Sequence, residues 1–153
     1  VILTDRDQAE KDELKLNNFN KYFSHLGLSV GLSNKEWTDT YLSDTFGEEV
    51  QIEILTLIIS FDKEGALETF LLDALSEDKD DKIVVEAAKE FVVDLDSGKY
   101  LTRDRDKIKA ELGVTFAVIF PDKVFTMMND LLIEIPWEEY TTVQECFTLL
   151  EEI

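Results

Sequence analysis

The sequence predicts an all-α protein made of stacked antiparallel helical hairpins. Three observations lead there: a seven-residue pattern that returns along the chain, an apolar stripe of helical period near its middle, and helix-start signals at several junctions. The returning pattern is "TFLLDAL" at 69–75, with echoes in "TYLSDTF" at 40–46 and "TMMNDLL" at 126–132. The three starts lie 29 and 57 residues apart, and 57 is nearly twice 29. The first two copies are followed by similar second segments, "VQIEIL" at 50–55 and "IVVEAA" at 83–88. A period near 30 residues with two apolar segments per unit is the signature of a helical array in which each unit buries its apolar face against the next.

Local patterning points the same way. Ile83, Val84, Ala87, Ala88, Phe91, Val92 and Leu95 recur at helical spacing, and the two alanines at the centre allow close approach of a neighbouring helix. Ser33 with Glu36, and Thr141 with Gln144, have capping-box spacing. Pro136 followed by Glu138 and Glu139 suits a first helical turn, where proline forfeits no hydrogen bond and acids meet the helix dipole. The helices expected are 5–25, 34–46, 48–61, 64–76, 81–95, 102–112, 121–133 and 136–152, forming one helical-repeat domain over 1–153. The alternative is an α+β domain, because "EVQIEILTLIISF", "EFVVDLDSGKYLT" and "GVTFAVIF" are rich in β-branched and aromatic residues. Helices are preferred because the repeat accounts for apolar and turn segments together.

The stretch "ALETFLLDALSEDKDDKIVVEAAKEFVVDL" at 66–95 has a Leu-rich first helix, an acidic turn and an Ala-centred second helix opening on a β-branched residue. In this it resembles a HEAT-type repeat, a likeness that extends more loosely to 39–61 and 124–152. The resemblance implies an α-solenoid that binds other macromolecules and brings no catalytic residues with it.

Composition bounds the function. The 153 residues are 44% apolar, enough for a buried core, and no uninterrupted apolar run approaches the eighteen residues of a membrane span. The opening "VILTDRDQAEKDELK" turns acidic at once, without the basic, apolar and small-residue order of a secretory signal. With a single cysteine, Cys146, no internal disulfide forms, and a reducing cytoplasm is the expected setting.

Formal net charge is −19. Direct nucleic-acid binding is thereby excluded, since phosphate neutralisation needs clustered Lys and Arg. The imbalance sits in two blocks: 36–81 holds fourteen acids against Lys63 and Lys79, and 124–153 holds seven acids and no base. A surface tuned only for solubility intersperses both signs. Segregation points instead to a basic protein partner, whose encounter a negative field accelerates by roughly 10–10³-fold.

Chemistry is absent from the motifs. One histidine, His25, and one cysteine cannot assemble a tetrahedral N/S metal site, and acids beside Cys146 oppose the lowered thiol pKa that a nucleophile requires. No phosphate-cradling glycine loop or G-x-S-x-G elbow occurs. No enzyme, metal or cofactor is expected, and no oligomeric state is read from the sequence. The expected partner-binding residues are Glu48, Glu49, Glu53, Asp80, Asp81 and Glu86, near the starts of second helices on one shared flank, joined by Trp137 and Glu138, an aromatic anchor among acids. The function expected is that of an acidic protein-binding module, a stoichiometric inhibitor or immunity-type protein neutralising a basic partner such as a toxin nuclease. A helical-repeat adaptor docking a basic segment of a larger assembly is the alternative.

Overall fold

The computed structural model describes residues 1–6, 11–43, 46–59, 67–95, 98–123 and 125–150. It is α+β, 58% helix and 17% strand among the described residues, and it divides into two compact units, Val1–Glu64 and Gly65–Ile153.

The first unit runs β1 (Ile2–Asp5), α1 (Asp12–His25), β2 (Trp37–Ser43) and β3 (Glu49–Ile59), with strand order β1-β3-β2. β3 is a strand because Val50, Ile52, Ile54, Thr56 and Ile58 place a β-branched side chain at every second position, which suits a pleated surface and disfavours a helix. β1 joins it in parallel, with Ile2 opposite Thr56; β2 joins antiparallel, from Trp37 opposite Leu55 to Ser43 opposite Glu49. All residues from Ile54 to Ile59 are buried, so the inner half of this central strand is covered on both faces. The connection from α1 to β2 is tied down by asparagines. Asn20 Oδ1 accepts the Leu32 N–H at 3.0 Å, and Asn34 Oδ1 accepts the Ile58 N–H at 2.8 Å. Lys35 adopts a left-handed φ of 63° while donating its N–H to the Thr56 carbonyl at 2.8 Å.

The second unit is helical: α2 (Leu67–Leu75), α3 (Lys79–Asp94), α4 (Asp104–Ile119), α5 (Met128–Leu132) and α6 (Thr141–Phe147), with 3₁₀ turns at Pro121–Lys123, Trp137–Glu139 and Thr148–Leu150. Five of the nine residues of α2 are buried, Phe70, Leu71, Leu72, Ala74 and Leu75, which makes it the centre of the unit. α3, α4 and α6 pack against it, burying Val85, Ala88 and Val92, Leu112, Thr115 and Phe116, and Cys146; Leu131 and Ile135 are buried as well. The buried Thr115 hydroxyl is satisfied by the Glu111 carbonyl at 2.9 Å.

The all-α, HEAT-like expectation is overturned. The segments expected as helices 34–46 and 48–61 contain β2 and β3, and the three echoes take three forms: α2, the end of β2, and the turn into the five-residue α5. Asp44 and Thr45 of "TYLSDTF" lie outside the described residues. Seven positions of mixed residue class do not hold a conformation by themselves; β2 is extended because it pairs along its length with a β-branched partner. The alternative α+β class fits, although of its three expected strands "EFVVDLDSGKYLT" begins in α3 and "GVTFAVIF" continues α4 to Ile119. Ser33 and Glu36 cap no helix. α3 is helical as expected but turned: Val85, Ala88 and Val92 face inward, while Ile83 is 65% and Phe91 53% exposed and Ala87 is also on the surface.

Gly113 sits in the middle of α4, and nothing lies within 4 Å of the position a Cβ would take there. Gly113→Ala is therefore expected to stabilise the protein by about 0.4–1 kcal/mol, since alanine restricts the unfolded chain without strain in the helix. Urea unfolding midpoints of the two proteins check it.

Candidate functional site

β3 extends well past β1. Only Thr56 to Ile59 pair with β1, so the outer half of β3 and the facing half of β2 form a two-stranded ribbon, and at its turn Gly47 adopts a φ of 84°. Burial changes accordingly: Glu49, Val50, Gln51 and Glu53 are exposed, whereas everything from Ile54 inward is covered.

Cross-strand partners share a face, which sorts the side chains of the ribbon. On one face Leu42 lies opposite Val50 and Thr40 opposite Ile52; Leu42 is 39% and Val50 53% exposed. Thr40 is buried, its hydroxyl donating to the Ser29 carbonyl at 3.3 Å. On the other face Asp39 lies opposite Glu53, Tyr41 opposite Gln51 and Ser43 opposite Glu49. Two carboxylates directly opposite one another repel. The Gln51 amide reaches Asp39 at 3.5 Å, a long contact, and the chain holds no lysine or arginine from 36 to 62. The arrangement is an apolar face and an acidic face on one projecting ribbon, with Tyr41 58% exposed among the acids.

Three of the expected residues, Glu48, Glu49 and Glu53, belong to this ribbon or its turn. The other five lie in the second unit. Asp80 and Asp81 occupy the first turn of α3, where Asp78 is the N-cap, its side chain accepting from the Asp80 and Asp81 N–H groups at 2.8 and 3.1 Å. Those bonds, Asp81's first, hold the Asp78 carboxyl below its usual range. Asp81 is pushed the other way, by burial and then by the charges of Asp78 and Asp80. Glu86 is exposed one turn further on, 3.9 Å from Lys82.

Trp137 and Glu138 approach the same end of the unit through α6. The Glu77 carboxylate caps that helix from outside it, accepting the Thr141 and Thr142 N–H groups at 2.7 Å each. Thr141 thus begins a helix as expected, but Gln144 bonds the Glu138 carbonyl at 2.8 Å instead of closing a capping box. Trp137 donates its indole N–H to the Leu132 carbonyl at 2.6 Å, and its ring centre lies 5.8 Å from that of Tyr140. The Tyr140 phenol is raised by burial and then by Asp81, Asp78, Glu139 and Glu77, a measure of how negative this end is.

Burial acts to raise the Glu77 carboxyl, yet the hydrogen bonds from Thr142 and Thr141 outweigh it and the group ends below its usual 4.5. A depressed folded value means stability that is complete above the unfolded pKa and lost as pH falls through the folded one. Glu77→Gln is accordingly expected to cost about 0.5–2 kcal/mol near neutrality, the range of a lost helix cap. The difference from wild type should shrink towards zero as pH falls below 4.5. Urea unfolding at pH 7 and pH 3, followed by Trp137 fluorescence, checks both statements.

Residues that the sequence reading passed over are Asp39, Tyr41, Leu42 and Val50 on the ribbon and Glu77 and Tyr140 in the second unit. The period-two run of β-branched residues from Val50 to Ile58 was the available signal for the first four. Among the described residues no group of three or more His, Cys, Asp or Glu is arranged to hold a metal, and no helix is long and apolar enough to cross a membrane. No protein-family model, curated protein or solved structure matches this chain.

Proposed function

We propose that this protein is an acidic protein-binding module that associates stoichiometrically with a basic protein and neutralises it, in the manner of an inhibitor or immunity protein acting on a toxin nuclease. The observation that carries this reading is the ribbon, where Asp39, Glu49 and Glu53 share one face and Leu42 and Val50 the other, in a stretch without a single cation. Charge of this kind raises the encounter rate by roughly 10–10³-fold and loses its effect in salt. Exposed ion pairs add only about 0–1 kcal/mol each, so affinity has to come from apolar and aromatic groups desolvated on contact. Tyr41, Leu42 and Val50 supply such groups beside the acids, which a merely solvated acidic surface does not.

The test is retention of proteins from a lysate of the source organism on the immobilised chain at low and high salt, against the variant Asp39→Lys, Glu49→Lys, Glu53→Lys. The expected result is a basic protein held at low salt by the wild type alone, with its activity titrated to zero at one-to-one stoichiometry. Retention of no basic protein, or equal retention by the variant, overturns the reading. A retained partner whose activity is untouched at saturation transfers the assignment to an adaptor.

A further inference from the structure

Resting on that reading, we propose how the partner is held: an extended segment of alternating basic and apolar residues adds to the free edge of β2 as a fourth strand. β2 is the outer strand of the order β1-β3-β2, and among the described residues no backbone hydrogen bond joins it to anything but β3. About half of its N–H and C=O groups therefore point away from the sheet, because successive residues of a strand direct these groups to opposite sides.

Natural edge strands are guarded by lysine, proline, bulges or very short length. β2 carries one guard of a different kind, the charge of Asp39, which turns away another acidic edge and not a basic strand. It is "WTDTYLS", without lysine or proline, and its seven residues pair one-to-one with β3 from Trp37 to Ser43 with no bulge. The opposite edge, β1, is four residues long. An edge guarded by negative charge alone stays open to a strand of opposite charge, and the side chains beside this one specify which.

An added strand continues both faces of the ribbon. On one face its side chains stand next to Asp39, with Glu53 one strand further, so they should be lysine or arginine; a cation there also relieves the repulsion between those two carboxylates. On the other face they stand next to Leu42, with Val50 one strand further, and should be apolar. A second copy of this chain fits poorly, since edge-to-edge pairing of β2 with itself brings together two Asp39-bearing edges on chains of net charge −19.

The experiment uses the whole protein and two nine-residue probes of identical composition, one alternating Lys and Val, the other with its lysines and valines in separate blocks. Binding is followed by calorimetry at low salt, and amide hydrogen exchange by NMR. The alternating peptide is expected to bind at least about tenfold more tightly than the block peptide and to slow exchange at alternate amides of β2. Tyr41→Pro and Leu42→Pro supply the variant arm: the N–H groups of neighbouring residues point to opposite sides, so one of the two removes only an outward group and keeps the ladder to β3. The variant that retains the wild-type circular dichroism should lose the alternating peptide.

If both basic peptides bind equally, or bind without protecting β2 amides, strand addition is wrong while an acidic binding surface stands. Protection of β2 without peptide, in a dimeric protein, assigns the edge to a second copy and also overturns the proposal. Absence of any peptide binding at low salt overturns it as well, and the lysate experiment then decides the parent reading separately.

Discussion

Phe116→Ala is expected to lower the unfolding free energy by about 3–5 kcal/mol, the cost of removing a buried phenyl ring and leaving a cavity that its surroundings fill only in part. Phe116 is 1% exposed, on α4 where that helix faces the core, with Phe120 edge-on at 6.0 Å between ring centres. Leu112, Thr115 and Phe116 form its buried stripe, and α4 packs against α2 and α3. Against a total stability of about 5–15 kcal/mol for a typical domain, a loss of this size lowers the melting temperature on the order of 20 °C. The chain has two tryptophans, one in each unit, so the measurement is made in a Trp37→Phe background with Trp137 as the reporter. A cost below about 1 kcal/mol would mean that the ring is not held in a close-packed interior.

Leu57→Ala is the counterpart in the first unit, with an expected loss of about 2–5 kcal/mol. Leu57 has no exposed surface, lies in the central strand, and stands opposite Leu3 of β1. β1 on one side and Lys35, bonded to the Thr56 carbonyl, on the other are fixed by backbone hydrogen bonds, so the sheet cannot close over the missing atoms without shifting register, and the cost should fall in the upper half of that range. Trp37, opposite Leu55 and hence on the same face as Leu57, is the reporter, in a Trp137→Phe background. Denaturant midpoints with unchanged slopes would show that stability alone has changed.

How far the sequence could be read differs between the units for a physical reason. In the second, α2 and α3 were legible, because periodic apolar residues over nine to sixteen positions favour a helix whatever surrounds them, and α4 was legible only to 112, since the β-branched and aromatic run from Gly113 to Ile119 reads equally as a strand. Which side of α3 faces inward was not. Ile83, Val84, Val85, Ala87, Ala88, Phe91, Val92 and Val93 span more than one face, and packing against α4 selects Val85, Ala88 and Val92.

In the first unit a loose seven-residue echo competes with the alternation of Val50, Ile52, Ile54, Thr56 and Ile58. The alternation was the stronger signal because it runs on over nine residues. The acidic character of the site was legible from charge counts alone. Its geometry was not, because the pairing of Asp39 with Glu53 depends on strand register, which no local residue pattern announces.

That register has a consequence for how the arm can change. Its seven rungs run unbroken, so whether a side chain joins the carboxylates or the aliphatic groups is decided by whether its position number is odd or even. Exchanging residues two places apart on β3 leaves each surface with its character, whereas one inserted residue between Gln51 and Glu53 would carry Glu49 over to the side of Leu42. The arm's chemistry is in that sense a matter of parity, robust to swaps and inverted by a single step.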